Sequence, residues 1–71
     1  MEYPYRLEPQ EDGGFVVQFV DLEEAFTEGA TPAECALNAT EVLKGVLEQR
    51  LADGIASPRP SEGTGLPVAS L

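Results

Sequence analysis

Thr31-Pro32-Ala33-Glu34 fixes where a helix must begin. Threonine caps the free N–H groups, proline suits the first helical position because the donor it lacks would have no partner there, and glutamate three residues after the cap completes a capping box. Asp53-Gly54 marks the far end, since glycine takes the conformation that terminates helices. A helix of that length in a chain of 71 residues constrains everything else, because its apolar stripe must be covered by what little chain remains. At 100° per residue, Cys35, Ala36, Ala39, Val42, Leu43, Val46 and Leu47 share one broad face, and Glu34, Asn38, Glu41 and Glu48 fall opposite. Glu34, Glu41 and Glu48 recur every seven residues and form an acidic ridge, relieved in part by Lys44.

The residues before the helix alternate with period two, which supplies the sheet that the stripe needs. From Glu2 to Pro9, Tyr3, Tyr5 and Leu7 face one side and Pro4, Arg6 and Glu8 the other. Pro4 cannot donate to a ladder and belongs at an edge or at the strand's start. Gln10-Glu11-Asp12-Gly13-Gly14 is a hairpin turn. Phe15 to Val20 is a second strand, apolar on both faces and so expected in the middle. After Asp21-Leu22-Glu23-Glu24 a short third strand runs from Ala25 to Glu28 and ends at Gly29. The expected class is therefore α+β: a three-stranded antiparallel meander with one long helix packed on it, and room for a short fourth strand near the C terminus.

Beyond Gly54 the composition changes. Residues 1–56 read as the folded domain, and the Pro, Ser and Gly run of residues 57–65 reads as a linker with little to bury. Residues 66–71, where apolar residues return, read as the start of a further domain. Apolar residues are 42% of the chain, which is ordinary for a folded protein. The net charge is −9, from 13 acids and 4 bases, and the whole of it lies in residues 1–54, which hold 12 acids and 3 bases. A field of that sign repels phosphate backbones, so direct nucleic-acid binding by these residues is excluded. One cysteine, no leader pattern and no apolar run near the roughly 20 residues of a membrane span point to a cytoplasmic protein away from the membrane.

Taken together in order, Tyr3-Pro4-Tyr5, Glu8-Pro9, Glu11-Asp12-Gly13-Gly14-Phe15-Val16-Val17-Gln18-Phe19, Asp21-Leu22, Phe26-Thr27-Glu28-Gly29 and Thr31 to Ala39 resemble the HicB antitoxin family over roughly residues 2–60. The family usually has a proline before the Asp-Leu pair and Pro-Gly after it. Val20-Asp21-Leu22-Glu23-Glu24 departs from that, so this connection is expected to be looser as well as more acidic. The resemblance implies a partial RNase H-like fold that binds a HicA toxin, a small basic ribonuclease acting on messenger RNA, and covers its active face. It also implies a C-terminal DNA-binding domain through which such proteins repress their own operon; DNA contact would come only from that domain, which this chain does not contain.

An acidic domain suits a basic partner because long-range attraction steers the encounter. Glu11 and Asp12 at the hairpin, Asp21, Glu23 and Glu24 in the second connection, and the Glu34, Glu41, Glu48 ridge are the candidate toxin contacts. Solubility alone would need a net charge of only ~2 to 8. Leu37 and Leu51 on the helix flank, Gly45 on its polar face, and Arg50 in the last turn are candidate contacts between copies in a homo-oligomer. Arg50 has a second reading, in which its stem packs and its guanidinium pairs with an acid at the sheet's rim. The alternative function is a small acidic self-assembling interaction module with a different partner.

Two-metal hydrolysis would need acids converging from different elements. Glu8 is the one acid inside the first strand, there is no histidine, and Cys35 lies on the apolar stripe and reads as core. No catalytic residue, metal site or cofactor is expected.

Overall fold

In the computed structural model, which describes residues 1–71, four strands and one helix follow the order β1 (Glu2–Pro9), β2 (Phe15–Phe19), β3 (Phe26–Gly29), α1 (Pro32–Ala52) and β4 (Val68–Ser70). The sheet is antiparallel throughout with spatial order β3-β2-β1-β4. The meander is thus extended by the short fourth strand, which returns beside β1. Strand bounds differ from expectation by one residue at the end of β2 and at the start of β3, on either side of the acidic connection.

The β1–β2 hairpin closes through a three-residue loop. Gly13 N–H donates to Gln10 O at 3.1 Å and Gln10 N–H to Gly14 O at 3.0 Å. Gly13 takes φ of 93°, a left-handed conformation that a side chain disfavours. The register sets Tyr5 opposite Phe19 and Leu7 opposite Val17, with Tyr3 opposite Ala69 on β4. One face of the sheet therefore carries Tyr3, Tyr5, Val17, Phe19 and Ala69, all buried. The Tyr5 and Phe19 rings meet tilted, centroids 5.5 Å apart, an arrangement worth about 0.5–1.5 kcal/mol beyond burial.

Pro4 lies in a strand that β4 makes interior, which the edge rule disfavours. The geometry explains why it is tolerated. Val20 N–H donates to Pro4 O at 3.1 Å, and β2 ends one residue earlier. The donor that proline lacks would have pointed at this finished ladder, while Tyr5 N–H, on the other side, reaches Pro67 O at 3.0 Å.

α1 begins as its sequence dictates. Thr31 caps the helix, accepting from Glu34 N–H at 3.1 Å. The Glu34 carboxylate reaches back one residue further than a standard capping box, accepting from Ala30 N–H at 3.3 Å. At the other end Gly54 N–H donates to Leu51 O and Ile55 N–H to Arg50 O, at 3.2 and 2.8 Å, a Schellman closure. Cys35, Ala39 and Leu43 are fully buried on the sheet, with Val42, Val46 and Leu47 half-buried beside them. Ala36 corrects the expected stripe, because it is exposed. It lies at nearly the same angle as Leu47, but a methyl at the rim is too short to reach the core that leucine reaches.

The second connection is not loose. Leu22 and Ala25 are fully buried, Ala25 N–H donates to Leu22 O at 3.1 Å and Phe19 N–H to Ala25 O at 3.0 Å. The Gln18 amide nitrogen lies 3.1–3.3 Å from the carbonyls of Phe19, Leu22, Glu23 and Ala25. A buried leucine and one amide thus do the work that the family's prolines would do by stiffness. Residues 57–65 have no regular structure but are tied down: Tyr3 OH donates to Pro58 O at 2.7 Å, and Ser61 donates through N–H and Oγ to Asp21 at 2.9 and 2.6 Å.

Gly29 is where the helix comes closest to the sheet. A Cβ there would stand 2.9 Å from Cys35 Sγ and 3.0 Å from Cys35 N, and backbone cannot give as a flexible side chain can. Gly29→Ala is expected to destabilise the fold by about 1–3 kcal/mol, and Thr31→Ala by about 1 kcal/mol through the lost cap. Chemical denaturation midpoints check both.

Candidate partner-binding surfaces

The candidate acids do not form one patch. They gather at the two ends of α1, with the ridge running between them. At the N-terminal end, Glu11 and Asp12 are exposed on the hairpin tip. A cleft of about 630 Å³ separates that tip from the start of the helix, lined by Asp12, Phe15, Glu28 and Glu34. Glu28 was not among the sequence-derived candidates. The alternation that points its side chain to the open face of β3 was the available signal.

At the C-terminal end, Asp21, Glu23 and Glu24 share a cleft with Arg50, Ala56 and Pro58. Two of these acids are already engaged. Asp21 holds Ser61. Glu24 receives a bidentate contact from Arg50, Nε to Oε2 at 2.7 Å and Nη2 to Oε1 at 3.1 Å, while Nη1 donates to Ala56 O at 3.1 Å. This is the one ion pair in the structure. It keeps the Glu24 carboxyl below its ordinary value of 4.5, first through the hydrogen bond from Arg50, and holds the guanidinium above its own ordinary value for the same reason. Glu23 makes no side-chain hydrogen bond.

From Glu34 in the first turn to Arg50 in the last is about 24 Å at 1.5 Å per residue, so no single small contact spans both clusters. Glu41 and Glu48 stand exposed between them. The four candidate oligomer contacts also separate. Leu37 and Leu51 project from the outer face of α1, 71% and 82% exposed. Gly45 and Arg50 instead line a groove of about 300 Å³ with Val42, Val46, Ile55 and Glu24. The flank of the helix beside β3 is fixed by Asn38, whose Nδ2 donates to Glu28 O at 2.8 Å and covers one open carbonyl of the sheet edge. Phe26, at the same edge, is 61% exposed.

No three acids or thiols stand close enough to hold a metal ion. Burial, and after it the charge of Glu34, pushes the Cys35 thiol up, which is the environment of an inert core cysteine. No helix is long and apolar enough to cross a membrane.

Residues 2–65 match a family described as HicB_like antitoxin of bacterial toxin-antitoxin system. Antitoxin HicB of Escherichia coli K12 is 39% identical over 61 residues, covering 86% of this chain and 44% of that protein. Antitoxin HicB 1 of Photorhabdus laumondii subsp. laumondii is 40% identical over 60 residues, covering 84% and 39%. The chain thus spans less than half the length of these relatives. A chain of a solved HicA3 and HicB3 toxin-antitoxin complex superposes with a TM-score of 0.74 at 28% identity, covering 87% of this chain and 72% of that one.

The Glu24–Arg50 contact has a pH signature. A carboxyl lowered in the folded state contributes stability above its unfolded value and loses that contribution as pH falls through its folded value. Glu24→Gln is therefore expected to melt below the wild type at neutral pH, the gap narrowing once pH drops under about 4.5 and vanishing in stronger acid. A gap that persists unchanged at low pH would contradict the assignment; thermal melts across that range decide it.

Proposed function

We propose, from the premise that this chain belongs to the HicB-like antitoxin family, that it binds a small basic HicA-type toxin and neutralises it by covering the surface with which the toxin grips messenger RNA. The observation that carries this reading is the state of the charges. Only one of the three bases in residues 1–54 is paired with an acid. Glu11, Asp12, Glu23, Glu41 and Glu48 stand exposed with no side-chain partner. A surface left so acidic by its own fold repels nucleic acid and attracts the basic face that would otherwise bind it.

The mechanism is occlusion with no catalysis by this chain and no cofactor. Carboxylates take the places that phosphates occupy on RNA, so toxin bound here and toxin bound to message exclude each other. The same chemistry assigns any operator binding, and with it autorepression, to a DNA-binding domain outside these residues. The relatives are more than twice as long as the segment matched, which leaves room in such proteins for that domain, while residues 68–70 belong to the present sheet as β4. The setting is cytoplasmic, where message is translated.

A second reading is favoured by the two bare leucines on the outer face of α1: a module that assembles with copies of itself. Sedimentation separates the two. A heterocomplex with a small basic protein, whatever the number of copies of this chain in it, supports the antitoxin reading; a concentration-dependent oligomer that Leu37→Ala and Leu51→Ala dissolve and that binds no such protein supports the other.

The reading frame adjacent to that of this chain is expected to encode a small basic protein that co-purifies with it. Its association rate should fall at least about tenfold as salt rises from low concentration to about 0.5 M, with a smaller change in dissociation. Stopped-flow mixing measures both. A salt-independent association rate, or growth arrest by the toxin that co-expression of this chain does not relieve, would sink the proposal.

A further inference from the structure

Gly45 is the residue of α1 that the fold leaves unexplained. It stands in the helix interior, where only proline is a poorer choice, and a Cβ built on it meets nothing within 4 Å. No internal contact requires it. What its missing side chain does is keep open the middle of the groove between α1 and the second connection, walled by Val42, Val46 and Ile55. Ile55 is 53% exposed there, although the helix closure that positions it is complete without its side chain.

The surroundings state what the groove would accept. On the helix, the neighbours of Gly45 at i−4 and i+3 are Glu41 and Glu48, both exposed. Asp53 lines the end of the groove, its carboxylate accepting from Gln49 Nε2 at 3.1 Å. The one base on the wall, Arg50, is spent on Glu24. The interior is apolar, and the acids around it, Asp53 at its end and Glu41 and Glu48 beyond Gly45 on the helix, outnumber the one free base there, Lys44. We propose that this groove is a socket for one large apolar side chain of the basic partner, presented there between lysine or arginine residues. The inference rests on the antitoxin reading and deepens it by naming where the partner is anchored. A second copy of this chain is a poor occupant, because two-fold contact here would set Glu41, Glu48 and Asp53 against the same acids of the other copy.

The test fills the socket and leaves the fold alone. In Gly45→Leu the side chain enters open space and improves helix propensity, so the melting temperature should equal or exceed that of the wild type. Gly45→Gln plugs the slot with a more soluble side chain, in case leucine promotes aggregation. Each is titrated calorimetrically with the small basic protein expected from the adjacent reading frame. Both plugs are expected to weaken binding at least tenfold while Leu37→Ala on the outer face does not, and Glu41→Gln with Glu48→Gln should slow association. Wild-type binding that both plugs leave unchanged overturns the socket and spares the antitoxin reading. Failure of the wild type to bind overturns the antitoxin reading and takes the socket with it. A wild-type dimer that Gly45→Leu converts to monomer gives the groove to a second copy and overturns the proposed occupant.

Discussion

The contact on which this structure depends is the descent of α1 onto the sheet at Gly29. With ten residues in its core, the chain has no second layer to compensate for a poorly seated helix. The approach of Cys35 to Gly29 seats Cys35, Ala39 and Leu43 in one buried cluster with Tyr5, Val17 and Phe19. The helix stripe is narrow because small side chains permit a close approach, and the close approach is what excludes water from so thin a core.

The charge lies outside that contact. Acids occupy the hairpin tip, the second connection and the outer helix, yet the connection that holds three of them is among the best-tied parts of the molecule. Leu22 is buried under it, Gln18 gathers its carbonyls, Arg50 fixes Glu24, and Asp21 fastens the tail that leads to β4. Asp21 and Glu24 therefore serve the fold first. The candidate acids without a side-chain hydrogen bond are Glu11 and Asp12 at the hairpin tip, Glu23, and Glu41 and Glu48 of the ridge, Glu34 being engaged by Ala30 N–H.

The helix, its cap and its closure were legible in the sequence because the residues that specify them lie within four positions of one another. The hairpin and the inward alternation of Tyr3, Tyr5, Val17 and Phe19 were legible for the same local reason. What escaped was set at long range. Nothing near Ala36 says that the sheet falls short of it. Nothing near Asn38 says that a sheet carbonyl ends beside it, and nothing near Ser61 says that Asp21, forty residues earlier, waits for it. The acids were legible as a set but not as two groups at opposite ends of a helix, since their positions depend on which loops the sheet brings to each end. The alternation along β3 did mark Glu28 as outward, but its place beside the hairpin tip and Glu34 depends on the same long-range arrangement.

Charge and shape answer different questions in such a protein. A net charge of −9 acts over a Debye length and governs how often a basic partner arrives in a usable orientation. It gives little grip once water and salt screen the exposed pairs. Residence requires desolvated contact, and most differences in affinity among related complexes reside in dissociation. The exposed ridge lacks that kind of contact and the groove beside it can provide it. Glu41 and Glu48 next to an open Gly45 place the steering charge within one helical turn of the apolar anchor point. An arriving cation would thus be drawn to the edge of the slot that holds its neighbour, and neutralising the ridge would slow arrival while filling the slot would hasten departure.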